Sequence, residues 1–272
     1  MYGIGEINGD DAIVSFGTFV DAGVQIPANA LSGVTMHELG HNFGLFHGGP
    51  ASDNFKPNYL SVMNYNFYTT GIPVGAAPGD IVAKSCGTDA DCTAPAHCSG
   101  PNGSTPNTCF RIDYSSAQLL DLNEAALDET KGLNGPSTST DISVFTIDGI
   151  NPIYVPTNGT PIDWNQDQTV ETNTVQDING DGATTLLTGS NDWAHLNFDY
   201  QCSANFGNDG PKAANRAGFE RLFQRYWPAA RTQLAWAGLS NTIVQVVGVS
   251  GQAPSRNKPA FDWLKERLLW PR

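Results

Sequence analysis

A chain of 272 residues is long enough for one sizeable core or for two small domains. With 40% apolar and only 15% charged residues it is neither a disordered chain nor a coiled coil, and 29 Gly and 17 Pro make much of it turn and irregular loop. A formal net charge of −13 argues against non-specific binding to nucleic acid or to an anionic membrane, both of which need a basic face, and no apolar run approaches the roughly 18 residues of a membrane span.

Residues 1–6 carry neither the basic nor the apolar region of a signal peptide, and a targeting segment upstream of the numbered chain is the favoured reading over a cytoplasmic protein. Residues 11–20 are β-branched and aromatic, which predicts a strand. A Pro-Ala-Asn stretch at 27–29 then leads into a helical pattern, with Asn29 or Ser32 as cap and Val34, Leu39 and Phe43 as apolar positions. Within it, residues 37–47 read His-Glu-Leu-Gly-His-Asn-Phe-Gly-Leu-Phe-His. On a helix, positions i and i+4 share a face, so His37 and His41 present their imidazoles together, while Glu38 reaches a water on the metal without ligating it. Gly44 stops the helix, the chain reverses, and His47 comes round as a third ligand. Three nitrogens leave a fourth tetrahedral position for water, as in a catalytic zinc site rather than a closed structural one. Glu38 is then the base that takes the water proton and hands it to the departing amine. The bland alternative is a set of core or surface histidines. Three of the five histidines in the chain fall in this pattern, with Glu and Gly at the demanded offsets.

The full His-Glu-x-x-His-x-x-Gly-x-x-His run is a metzincin signature. Residues 61–65, Ser-Val-Met-Asn-Tyr, place Met63 sixteen positions beyond His47 and resemble the methionine-containing turn of that clan. The resemblance implies that Met63 is an apolar floor under the three imidazoles. The form of the turn is most similar to that of astacins and serralysins, which implies that Tyr65 approaches the zinc and swings out to support the tetrahedral intermediate. The likeness covers about residues 11–65; phrases at 59–65 and 121–129 are also similar to stretches of bacterial secreted zinc metalloproteases. Gly48, after the third histidine, matches none of the best-known subfamilies, so the clan is implied and not the subfamily. Metzincins set a mostly parallel sheet and a backing helix before the active-site helix, and 36 residues before His37 allow two strands. The upper part is therefore expected to be reduced, as in an excised fragment, with 11–20 as the edge strand along which substrate lies.

Four of the five cysteines, Cys86, Cys92, Cys98 and Cys109, fall within a loop spanning 84–110. Their spacing lacks the C-x-x-C pairs of zinc sites, so two disulfides in one of three pairings are expected, in an oxidising compartment; Cys202 is left over. Leucines and alanines among acidic residues predict a second helix near 115–130, with Asp121, Glu124 and Glu129 as solvated charges. A strand-like run follows at 142–147. Asp163, Asn165 and Asp167, then Asp177, Asn179 and Asp181, alternate as in EF-type calcium loops, and Gly182 supplies the turn in the second. Gln168 replaces that glycine in the first loop, and Thr174 and Thr188 stand where a bidentate Glu is expected, so Asx turns without an ion are the competing reading. His97 and His195 read as packing or surface residues. Helices near 212–237 and 259–269 flank a Val-rich strand at 243–249.

These observations predict one α+β domain over 1–272 with a metzincin-like zinc peptidase fold: a reduced upper part at 1–44 carrying the active-site helix, and a large loop-rich lower part at 45–272 that includes the cysteine loop and the Asp/Asn-rich segment 163–192. The expected activity is zinc-dependent endopeptidase action on protein or peptide substrates outside the cell, with Zn2+ and Ca2+ as cofactors. The rivals are a calcium-stabilised, non-catalytic module with a vestigial zinc site, and a zinc hydrolase of small amides. The intact Glu38 speaks against the first rival.

Overall fold

A computed structural model describes residues 3–9, 12–16, 26, 28–98, 107–147 and 150–198, all within the unit Met1–Phe219. Cys202, the expected helices near 212–237 and 259–269 and the strand at 243–249 lie outside the described residues. The content is mixed, with one α-helix and four small antiparallel sheets among those residues.

Strands β1 (Gly3–Gly5) and β2 (Ala12–Val14) form an antiparallel pair in the register Gly3 to Val14, and helix α1 (Ala28–Asn42) packs on both. The strand expected over 11–20 is thus seen at 12–14 and has ended by residues 15–16; residues 17–20 lie outside the described set. Neither expected cap holds. The helix already includes position 28, and Asn29 uses its amide to donate to the Thr70 carbonyl at 3.3 Å. The end of the helix follows the glycine expectation. Gly44 sits at φ +91°, its N–H donates to His41 O at 2.9 Å, and Leu45 N–H reaches back to Gly40 O at 2.9 Å. These two bonds across a left-handed glycine are a Schellman turn, which satisfies the last helical carbonyls.

β3 (Ile72–Pro73), β4 (His97–Cys98) and β5 (Cys109–Arg111) form a sheet in the order β3-β5-β4. The loop between β3 and β5 is stapled by Cys86–Cys98 and Cys92–Cys109, a crossed pairing that selects one of the three open to it. The spans of 12 and 17 residues each remove about 3 kcal/mol of loop entropy from the unfolded chain. Disulfides suit an oxidising compartment. Among the described residues no helix is long and apolar enough to cross a membrane.

The helix expected near 115–130 does not form. In its place are β6 (Leu122–Asn123), paired with β9 (Leu186–Leu187), and a single 3-10 turn at Glu129–Lys131. Backbone donors that a helix would return to its own carbonyls go instead to the later chain: Glu124 N–H to Thr185 O, Leu127 N–H to Thr174 O and Glu129 N–H to Glu171 O, at 2.7–2.9 Å. Apolar content at loose spacing mimicked a helix face, but Leu122 and Leu127 face a core built around Trp164. Trp164 is fully buried, edge-on to Phe145 at 5.0 Å. That core is closed by the hairpin β7 (Ile142–Phe145) and β8 (Ile153–Pro156), the first of which answers the strand-like run at 142–147.

A second cluster joins Leu45, Tyr59, Val62, Met63 and Tyr114 beneath α1. It is fed by an irregular segment, residues 56–64, in which every residue is buried. A buried stretch with no ladder must satisfy its polar groups otherwise. Side chains do this here: Asn58 donates to Leu120 O and Leu187 O, and Asn64 to Lys56 O and Tyr59 O, all at 2.8–2.9 Å.

Candidate metal centre

One ring nitrogen from each of His37, His41 and His47 lies within 4.8 Å of the others, and ring centroids are 4.8, 5.3 and 5.1 Å apart. Helical spacing brings the first two together; the Schellman turn brings the third. That turn does a second job, because Leu45 O accepts from His41 Nδ1 at 2.8 Å. His37 Nδ1 makes the equivalent bond to Val62 O, next to Met63, at 2.8 Å. A proton fixed on Nδ1 by a carbonyl leaves Nε2 bare and basic, which is how metal-binding imidazoles are oriented. Burial keeps the rings neutral: it pushes His37 down to about 3 and His47 to about 4, and lowers His41 as well. Three neutral, convergent imidazoles fit a zinc ion in chemistry and spacing.

Glu38 is buried beside the triad, and loss of solvation pushes its carboxyl up to about 8. β1 lies against it, so closely that a Cβ at Gly3 would overlap the Glu38 carboxylate. Met63 is fully buried under α1, where its sulfur occupies the space a Cβ at Gly40 would fill. The glycine between the two helical histidines therefore lets the methionine touch the helix backbone. Tyr65 is 38% exposed, with its ring 4.4 Å from His47 and 5.4 Å from His37. The expected ligands, base, floor and tyrosine thus lie together.

The other expected sites lie apart from the triad. The Asp163 and Asp177 loops pack through Trp164 and Ile178 on the lower core. Asp163 accepts from Asp167 N–H and Gln168 N–H, and Asp177 from Gly180 N–H and Gly182 N–H, at 2.7–3.2 Å. Asn165 and Asn179 accept from Asp167 N–H and Asp181 N–H in turn. Gln168 takes the left-handed φ, +72°, that Gly182 takes at +87° in the second loop. The replaced glycine did not prevent the turn. His97 contacts Asp89 at 3.2 Å and His195 bonds Asn191 O at 2.7 Å, and neither belongs to a metal-spaced group among the described residues. The four loop cysteines are joined in two disulfides and offer no thiolate to a metal.

Three residues near the triad escaped the sequence reading. Gly40 had a signal, since glycine inside a helix costs about 1 kcal/mol relative to alanine and asks for a packing reason. Tyr68, whose ring stands 4.8 Å from Tyr65 and 5.5 Å from His37, had none. Lys56 had none either. It is fully buried, donating to Gly48 O at 2.9 Å and Thr188 O at 2.7 Å, with its ammonium 5.2 Å from the Tyr59 ring. Gly48 follows His47, so this ammonium anchors the His47 turn to the chain beyond β9. Lys56→Met leaves two carbonyls unpaired but also relieves a desolvated charge, whose pKa burial lowers. The two effects offset in global stability. The His47 turn loosens, and the affinity of the triad for a divalent ion is expected to fall about 10–100-fold, read by competition with a chromogenic chelator.

No protein-family model, curated protein or solved structure matches this chain.

Proposed function

We propose that this protein is a zinc-dependent endopeptidase of the metzincin type. The observation that carries the reading is the convergence of three imidazoles, two of them with Nδ1 held by a backbone carbonyl, beside one buried carboxylate. A zinc ion held by His37, His41 and His47 would polarise a peptide carbonyl and lower the pKa of a water to about 7. Glu38 accepts the proton of the attacking water and delivers it to the amine as the C–N bond breaks. Burial raises its carboxyl above the ordinary carboxylate range, which makes it a stronger proton acceptor than a solvated glutamate. The Tyr65 hydroxyl donates a hydrogen bond to the carbonyl oxygen as charge develops there. Disulfides and an acidic, loop-rich chain support work outside the cell.

The test is elemental measurement together with hydrolysis of casein. About one zinc per chain is expected, with cleavage lost on chelation and restored by added zinc. Zinc bound without cleavage returns the non-catalytic rival, cleavage of small amides alone returns the other, and cleavage by fully stripped protein removes the metal from the reading. The same measurement counts calcium. The Asp163 and Asp177 loops already use inner oxygens on their own N–H groups, so an ion there would share the accepting oxygens that the Asx turns employ.

A further inference from the structure

The geometry points to Phe55 as the wall of an apolar subsite beside the histidine triad, selecting polypeptides with an aromatic or bulky aliphatic side chain next to the cleaved bond. The assignment of a cleaved bond rests on the peptidase reading; the preference for an apolar side chain does not.

Phe55 differs from its surroundings in two ways. It is 45% exposed directly before the wholly buried segment 56–64. Its backbone also sits at φ +57°, a left-handed conformation that is an outlier for so large a side chain. Such a conformation persists only where the surrounding structure imposes it, and outliers of this kind concentrate at ligand clamps and active sites.

The two neighbours of Phe55 impose it. Asn54 Oδ1 accepts from Phe55 N–H at 2.7 Å and from Tyr65 N–H at 3.0 Å, which ties the turn to the tyrosine beside the triad. On the other side, Lys56 holds the carbonyl that follows His47. Phe55 is therefore positioned from one side by Tyr65 and from the other by the His47 turn. Between these anchors its ring meets Tyr65 nearly at right angles, 75° with centroids 5.9 Å apart, and Tyr65 in turn lies 4.4 Å from His47. An aromatic surface thus runs unbroken from the triad to Phe55.

What such a surface takes follows from its chemistry. A ring left in water at the edge of a site gains by covering itself with another apolar group, and edge-to-face contacts favour a second aromatic. A carboxylate side chain would lose hydration against two rings without gaining a partner.

Two peptide hydroxamates, identical except for a benzyl or a methyl side chain beside the chelating group, are titrated calorimetrically into the zinc-loaded full chain. The ratio of their affinities is the readout, in the parent and in Phe55→Gly. Glycine suits the left-handed conformation, so the variant's Tm should match or exceed that of the parent. Phe55→Ala, which removes the ring but keeps the backbone strain, is the second variant. The parent is expected to favour the benzyl probe about tenfold or more, and both variants to bring the ratio below about twofold. A parent ratio near one, binding of neither probe, or a ratio that survives removal of the ring overturns the assignment. Casein turnover on the same samples keeps the two readings apart. A chain that discriminates without cleaving retains the subsite and loses the peptidase; one that cleaves without discriminating does the reverse.

Discussion

Glu38→Gln is expected to lose about 10²–10⁴-fold in the rate of casein hydrolysis while zinc content stays at the parent level. The amide is isosteric with the carboxylate and does not belong to the histidine triad, so metal binding has no reason to change. What the variant lacks is a group able to take and return a proton. An effect of that size on turnover, with no change in metal, separates a base from a ligand and from a packing residue. Equal turnover in parent and variant removes Glu38 from the chemistry.

The same substitution has a signature that does not need catalysis. In zinc-stripped protein Glu38 titrates at about 8 against 4.5 in the unfolded chain, so the folded state binds the extra proton between those values. Stability from this group is therefore full below pH 4.5 and is lost as pH rises through 8. The histidines run the other way: with folded pKa values lowered from 6.5, to about 3 for His37 and about 4 for His47, they cost stability as pH falls below 6.5. Between pH 6.5 and 8 the Glu38 slope stands alone among the site groups. Stripped parent should lose roughly 1–2 kcal/mol across that interval by denaturant titration, and stripped Glu38→Gln should not. A parallel decline in both proteins would mean that Glu38 is solvated.

The triad was legible because its geometry is local. Two imidazoles four residues apart on a helix, and a glycine that reverses the chain, bring three histidines together within eleven residues. The Tyr65 and Met63 positions came from resemblance, since nothing in the spacing of a methionine and a tyrosine says what they pack against. What the sequence hid is everything held by long-range side chain to backbone bonds. Lys56, Asn58 and Asn64 look like surface residues of a Gly/Pro-rich loop, yet all three are buried because their polar groups find carbonyls as distant as Leu187 and Thr188. The miss at 115–130 has the same cause. Leucines at loose spacing with interspersed acids fit a solvated helix by composition. The alternative, an extended strip whose acids cap other loops, becomes visible only when those loops are in place.

Glu124→Ala is the sharpest test of that strip, with an expected cost of about 3 kcal/mol in global stability. Glu124 is fully buried, although glutamate is almost never so without partners. Its Oε1 accepts from Ile178 N–H at 2.8 Å and Asn179 N–H at 3.3 Å, and its Oε2 from Thr185 N–H at 2.9 Å. Glu129 repeats the device five residues on, accepting from Trp164 N–H at 2.8 Å and Glu171 N–H at 2.9 Å. Each carboxylate thus bonds the residue after the first Asp of one acidic loop and a residue near that loop's far end. Each acidic loop is therefore pinned near both of its ends by one glutamate from an earlier segment. Truncation orphans three backbone donors. Water can reach part of the exposed loop, which keeps the cost nearer 3 kcal/mol than the sum of three unpaired groups. Had the segment been the solvated helix expected from composition, alanine would have been neutral or slightly stabilising there. Denaturant unfolding of Glu124→Ala against the parent therefore decides between the two with opposite signs, and Glu124→Gln, which retains one accepting oxygen, should fall between them.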